Sequence, residues 1–350
     1  MKLILSILFM LTVSLTYSQA RQFNHQYMLN PGFFNPANMD IFTKYGTTLA
    51  YTNDYVSSSN SPLNFALNSY YNYRSQYGFS GTIINDNYGG YNQLEVSANA
   101  SYKTFSRSSG GISCAYGLRI GVSQHMLNTT KLNYESYSKY QTLDPVLGEN
   151  ASASKLGLNL GFGFALVTPK LDVNFSIPNL LGNRMPFVAG DTLNTSSQLF
   201  NMQNPNFFLT AGYKYRFDQD WYVFYPTIMV KGSVGAPIQA GVDFNFLLNQ
   251  LIFIGAGVRT DLTIGSNLGV FLDNGWRVVY SYQNAMASIH PGTGFSHELT
   301  LGYGRTIPEN PFHYKKFVAN GDVKKSKKLF KIKMPKLRFI KKITGRMKYD

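Results

Sequence analysis

The feature that most constrains this chain is a two-residue rhythm, clearest from Phe207 to Phe217. Phe207, Leu209, Ala211, Tyr213, Tyr215 and Phe217 fall on one parity, and Phe208, Thr210, Gly212, Lys214 and Arg216 on the other. Successive side chains of a strand point to opposite faces, so this strand is apolar on one side and mostly polar on the other. Its length is that of a strand crossing a bilayer core at a tilt near 45°, for which about 9–11 residues suffice. The same rhythm recurs and gives fourteen candidate strands: 44–53, 63–72, 77–85, 91–105, 111–124, 155–166, 169–177, 206–217, 221–231, 236–247, 250–260, 261–272, 275–284 and 295–305. Expected, therefore, is an all-β chain closed as a transmembrane antiparallel β-barrel of about fourteen strands over residues 44–305.

Two patterns set this barrel in an outer membrane. The connections alternate: those at 73–76, 106–110, 167–168, 218–220, 248–249 and 273–274 are tight, while the long ones, 124–154, 177–205 and 283–294, all fall at the other end. Short periplasmic turns and longer outer loops are the habit of bacterial barrels. The outer connections 232–235 and 260–261 are short as well, which predicts a low rim on one side. The charges obey the faces. Glu95, Lys103, Arg119, Lys155, Asp172, Lys214, Arg216, Lys231, Asp243, Arg259, Arg277 and Glu298 all sit on the polar parity. A charge on the lipid face at mid-bilayer costs about 2–4 kcal/mol, so that parity must face the lumen. Trp221 and Trp276 each follow a tight turn, where indole rings settle at the interface.

The ends carry different messages. Lys2, the apolar run Leu3–Leu15 and the small-x-small Thr16-Tyr17-Ser18 read as an export signal over residues 1–18. No later stretch of eighteen apolar residues offers a spanning helix. Cys114 is the single cysteine, so no internal disulfide is available. The formal charge of +14 belongs to a tail. From Lys315 onward there are fourteen Lys or Arg against Asp322 and Asp350, a net of +12, whereas Gln19–Tyr314 holds 17 basic and 16 acidic residues. The basic run is Lys324, Lys325, Lys327, Lys328, Lys331, Lys333, Lys336, Arg338, Lys341 and Lys342, interleaved with Phe330, Ile332, Met334, Leu337, Phe339 and Ile340. Export takes it away from nucleic acid, so the expected partner of residues 306–350 is a periplasmic component of a secretion or motility machinery, or the inner face of the membrane.

A fourteen-strand barrel is too wide for wall side chains alone to fill. Residues 19–43, rich in Asn, Pro and aromatics without strand rhythm, and the long loop 124–154 are the candidates to occupy it. Tyr27, Met28, Phe33 and Phe34 are too apolar for a solvated arm, so 26–37 is expected to be ordered in the lumen or at its periplasmic mouth. No catalytic constellation is legible: His25 lies before the barrel, His125 and His290 in outer loops, His313 after the last strand, and His297 on the lipid-facing parity. Neither an enzyme, a metal nor a cofactor is expected.

The opening Gln26-Tyr27-Met28-Leu29-Asn30-Pro31, then Asn35-Pro36-Ala37, resembles the start of the PorP/SprF family of type IX secretion outer-membrane proteins. Further pieces follow in order: Ser176-Ile177-Pro178-Asn179-Leu180-Leu181, Tyr225-Pro226, Gly255–Arg259, and the closing Ser296-His297-Glu298-Leu299-Thr300-Leu301-Gly302-Tyr303. The chain departs from the pattern at Tyr280-Ser281-Tyr282-Gln283, where an Asp would follow the aromatic strand, and in its basic tail. The resemblance implies a non-enzymatic partner that assists export or surface retention of large adhesins, in some members those of gliding motility. It also makes Gln26, Tyr27, Met28, Asn30, Asn35, Pro36 and Ala37 a partner-binding or structural motif, and Ser296, His297, Glu298, Leu299 and Tyr303 the closure of the barrel. Outer-membrane lipid, a secreted adhesin and periplasmic machinery are then the partners. A second class fits the same wall: a passive channel or small-solute transporter, which eight basic and four acidic wall residues would bias toward anions. With both termini periplasmic, cysteines placed at Ser57 or Lys139 are expected to react with an impermeant maleimide on intact cells; unlabelled cysteines there would invert the topology.

Overall fold

The computed structural model describes residues 25–38, 43–56, 61–73, 76–106, 112–128, 152–168, 170–181, 205–217, 222–233, 238–260, 262–272, 275–285 and 295–306. The export signal and the basic tail lie outside them. Among these residues no helix is long and apolar enough to cross a membrane. A 3-10 turn, Pro31–Phe33, precedes fifteen strands: β1 (Thr43–Asn53), β2 (Leu63–Tyr73), β3 (Tyr77–Tyr88), β4 (Tyr91–Ser106), β5 (Ile112–Asn128), β6 (Ser152–Val167), β7 (Leu171–Asn179) and β8 (Asn206–Tyr213), then β9 (Tyr215–Phe217), β10 (Tyr222–Ser233), β11 (Gln239–Leu248), β12 (Ile252–Arg259), β13 (Thr263–Phe271), β14 (Trp276–Ala285) and β15 (Phe295–Thr306).

Every strand pairs antiparallel with its sequence neighbour, and β1 pairs with β15 from Thr43↔Thr306 to Asn53↔His297, which closes the wall. β8 and β9 both pair with β10 and form one stave, so the barrel has fourteen staves. That stave is the clearest alternating stretch of the sequence, and the structure interrupts it at Lys214. Across the break stands Pro226, which has no N–H for a ladder. On the other side of the stave, the Lys214 N–H continues the ladder with the β7 side, donating to the Lys170 carbonyl at 2.6 Å. The second departure is β3, which runs to Tyr88 rather than residue 85; Tyr88 pairs with Tyr91 across a two-residue turn at Gly89-Gly90, adding another short connection at the long-loop end. At the opposite end, Asn249 and Gln250 hold positive φ, and the Leu251 N–H closes on the Leu248 carbonyl at 3.0 Å. That is the left-handed turn that suits the twist of two paired strands.

The faces are inverted relative to a soluble protein. Leu118 is 66 % exposed and Ile120 62 %, and Leu156, Phe244, Leu268 and Val258 are exposed with them. Glu95, Lys103, Arg119, Asp172, Lys214, Lys231, Asp243 and Glu298 are buried. Arg216, Arg259 and Arg277 are half-buried, so of the twelve charges on the polar parity every one whose side chain is described faces inward; Lys44, at the short-turn end of β1, is exposed. An apolar outside around a polar inside is what lipid selects. Near the short-turn end, aromatics ring the outer surface: Trp276 lies 5.0 Å from Tyr303, Tyr45 6.5 Å from Tyr303, and Tyr77 5.4 Å from Tyr102, centroid to centroid. Trp221 lies outside the described residues. Wall height varies from sixteen or seventeen residues in β4, β5 and β6 to eight in β12 and nine in β13, which makes the low rim. Ile120→Lys, on the lipid face of β5, is expected to cost about 2–4 kcal/mol, read as a lower urea midpoint of the heat-modifiable folded band; an unchanged midpoint would mean that this face does not meet lipid.

Candidate functional site: the filled lumen

The chain from His25 to Asn38 lies inside the barrel, and its own compactness comes first. Leu29 and Asn30 N–H groups donate to the Gln26 carbonyl, Phe33 to Asn30, and Phe34 and Asn35 to Pro31. Two Asn-Pro pairs shape these turns. Proline fixes φ and gives up its donor, while Asn folds its side chain onto nearby backbone; thus Asn35 Oδ1 accepts from the Ala37 N–H at 2.9 Å. The segment still exposes polar groups that must find partners in a site closed to bulk water.

The wall supplies those partners around most of its circumference. Glu298 of β15 accepts the His25 N–H at 2.7 Å through Oε2. The Gln26 amide donates to the Ser281 hydroxyl at 2.7 Å and the Val279 carbonyl at 3.2 Å, both on β14. Tyr27, 1 % exposed, donates to Asp243 Oδ2 of β11 at 2.7 Å and lies 2.8 Å from the Thr227 hydroxyl of β10. Met28 Sδ sits 3.0 Å from Asn245 Nδ2, and Asn30 donates to Thr300 at 3.1 Å. Across the lumen, Arg119 of β5 donates to the carbonyls of Gly32 and Phe33 at 3.1 and 2.9 Å, held from behind by Asn99 at 2.7 Å and by Glu95 at 3.8 Å. Asn35 donates to the Phe164 carbonyl of β6 at 3.0 Å, and Asn38 to Asn174 of β7 at 2.7 Å.

Apolar contacts fill the spaces between these bonds. Leu29 packs with Val223, Leu247, Phe253 and Val279; Phe33 with Ala50, Ala66 and Ile84; Ala37 with Ala115 and Ala165. Close approach is possible because the wall omits side chains there. A Cβ at Gly117 would overlap the backbone of Pro36 and Ala37, and one at Gly163 would strike Asn35 and Pro36. The segment crosses the lumen obliquely, from His25 beside Arg259, at the long-loop end of β12, to Ala37 near the short-turn ends of β5 and β6. Arg259 donates to His25 Nδ1 at 3.0 Å, and Nε2 faces Asp243 Oδ1 at 3.7 Å. Burial first, then the neighbouring guanidinium, lowers the His25 pKa to about 3, so the ring is neutral at physiological pH.

The closing motif divides between faces. Ser296 and Glu298 turn inward, Ser296 accepting the Tyr55 N–H at 3.3 Å. His297, Leu299 and Tyr303 lie on the outward parity, His297 in contact with the Tyr280 hydroxyl at 2.5 Å and stacked at 5.9 Å. The ten basic residues from Lys324 to Lys342 lie outside the described residues, as does the loop 129–151. Gly117, Gly163 and Thr227 were not singled out by sequence; the one signal for them is small residues on the inward parity, where a filled lumen needs room. No group of His, Cys, Asp and Glu among the described residues has metal-binding geometry.

A family model for the type IX secretion system membrane protein PorP/SprF matches residues 16–303, the plug and nearly the whole wall. The chain belongs to the PorP/SprF family. It is thus a type IX secretion membrane protein, and the barrel is an outer-membrane one. No curated protein matches it. Among solved structures it is similar to the CymD monoaromatic hydrocarbon channel (10 % identity, 83 % of this chain and 95 % of that one, TM-score 0.42), the Ralstonia pickettii toluene transporter TbuX (11 %, 81 % and 94 %, 0.40) and a Rh. blastica porin mutant (9 %, 75 % and 98 %, 0.32). Tyr27→Phe removes the hydroxyl shared by Thr227 and Asp243 and leaves both buried; it is expected to lower barrel stability by about 1–3 kcal/mol, measured by urea denaturation, and a change near zero would mean that the plug is not docked in solution.

Proposed function

We propose that this PorP/SprF protein is a plugged, non-enzymatic outer-membrane partner of type IX secretion that assists export or surface retention of large adhesins, including those of gliding motility. The observation that carries the reading is the occupied lumen. A channel is selected for an open polar path, whereas here the residues from His25 to Asn38 bond with β5, β6, β7, β10, β11, β14 and β15. A wall that is polar inside but filled serves as a scaffold, with affinity residing in its rims, its outer face and its extensions. Both ends of the wall, Thr43 and Thr306, lie with the short turns, which supports periplasmic termini.

The basic tail completes the proposal. A +12 segment with apolar residues between its lysines suits an acidic periplasmic component of the machinery or the inner face of the membrane, through attraction that salt weakens. The test is adhesin display in cells carrying substituted copies. Tyr27→Ala with Asn35→Ala is expected to abolish display while the barrel still inserts, and truncation after Arg305 to lose the periplasmic partner in low-salt pull-downs. Unchanged display in the first, or a full set of partners in the second, would overturn the corresponding part of the reading.

A further inference from the structure

One inward row of the wall carries more oxygen than its own groups satisfy. Glu298 of β15 pairs with Thr52 of β1, Thr52 with Asn64 of β2, and Asn64 with Asp86 of β3, so successive staves set a carboxylate, a hydroxyl, an amide and a carboxylate on one level. The level lies within four residues of the long-loop ends of these strands. Asp54, just beyond β1, follows Thr52 on the same inward face and is buried with it.

The oxygens are short of partners. Glu298, 0 % exposed, accepts the His25 and Gln26 N–H groups at 2.7 and 3.4 Å, both through Oε2, and its Oε1 is buried without a hydrogen bond. Thr52 is 4 % exposed, and its hydroxyl, the one polar group of the side chain, has no hydrogen-bond partner. Asn64 gives its Nδ2 to Asp86 Oδ1, which leaves Asn64 Oδ1 buried and unpartnered. Charge is short as well. His25 is neutral, and the Arg259 guanidinium is shared among Asp54, Asp243 and Glu298. Burial pushes the Asp54 carboxyl up to about 6, with Asp86 adding to the rise and the Ser296 hydroxyl and Arg259 opposing it. A buried carboxylate is costly until a cation or a donor meets it.

The donor set says which cation. Carboxylate, hydroxyl and amide oxygens suit a hard ion, and side chains on neighbouring staves, about 4.5–5.5 Å apart at Cβ, can converge on one with ligands at about 2.3–2.6 Å. Carboxylates and imidazoles alone make no such cage among the described residues; the hydroxyl and the amide complete it. Calcium tolerates a mixed, irregular set, whereas magnesium demands a near-ideal octahedron.

We propose that Glu298 Oε1, Thr52 Oγ1 and Asn64 Oδ1 bind one Ca²⁺ at the long-loop end of the lumen, with Asp54 and Asp86 offsetting its charge, so that calcium fastens the plug through the carboxylate that holds the His25 and Gln26 backbone. The inference rests on the filled lumen and is independent of the secretion role. The test is calcium binding by the purified full-length protein, stripped of lipopolysaccharide and treated with EDTA, followed by calorimetry and by the urea midpoint in EDTA or in about 10 mM calcium, roughly ten times the weakest constants of extracellular calcium sites. Expected are one ion per chain, a Kd of about 10⁻⁴–10⁻³ M, and a midpoint higher in calcium than in EDTA or magnesium. Thr52→Val keeps the shape of the side chain and removes the unpartnered hydroxyl; it is expected to weaken binding about tenfold while holding or raising the midpoint in EDTA, which a loss of packing would not do. Glu298→Gln is expected to abolish binding; should it not fold, Thr52→Val decides. No calcium bound by the wild-type chain, or equal binding by Thr52→Val, overturns the proposal. So does a midpoint that ignores calcium and rises on acidification, the mark of a proton on Glu298 in place of the ion.

Discussion

The structure depends on where inward-facing polar groups find partners. Lipid outside the wall forces every charge inward, and an antiparallel wall of fourteen staves leaves those groups ringing a space they cannot fill alone. Left to water, Arg119, Asp243 and Glu298 would line a pore. Here the plug offers them backbone carbonyls, a phenol and backbone N–H groups instead. Each bond is modest, but a buried partner left unpaired is costly, so plug and wall hold each other by the expense of separation.

Glycine makes this exchange possible. Gly117 and Gly163 contribute no side chain and would be weak choices in a strand judged by packing alone, yet the Asn35-Pro36-Ala37 turn sits directly on them. The oblique course of the plug follows from the same economy of space: the apolar clusters around Leu29, Phe33 and Ala37 lie on three separated parts of the wall, so no single patch carries it.

Much of this was legible in the chain. Period-two alternation located all fourteen staves within a few residues, and the inward parity of the charges placed the lumen, because lipid penalises exceptions strongly. What could not be read was set by single backbone donors and by long-range register. Pro226 interrupts the most regular alternating stretch, and Pro178 ends the β6–β7 ladder early; side-chain rhythm is blind to a missing N–H. Likewise, alternation shows that Arg119 faces inward but not that Gly32 and Phe33 stand opposite it, since those residues are brought together only by closure of β1 on β15.

A secretion partner with a filled lumen and a passive channel differ in one physical property, the ionic path through the wall. The most direct measurement is the conductance of the purified full-length protein in planar bilayers, with Gly117→Ala as the opened reference, since its Cβ occupies the place of Pro36 and Ala37. The account predicts no large steady conductance from the wild-type chain and a steady open level from Gly117→Ala. A large, steady conductance from the wild-type chain would contradict it.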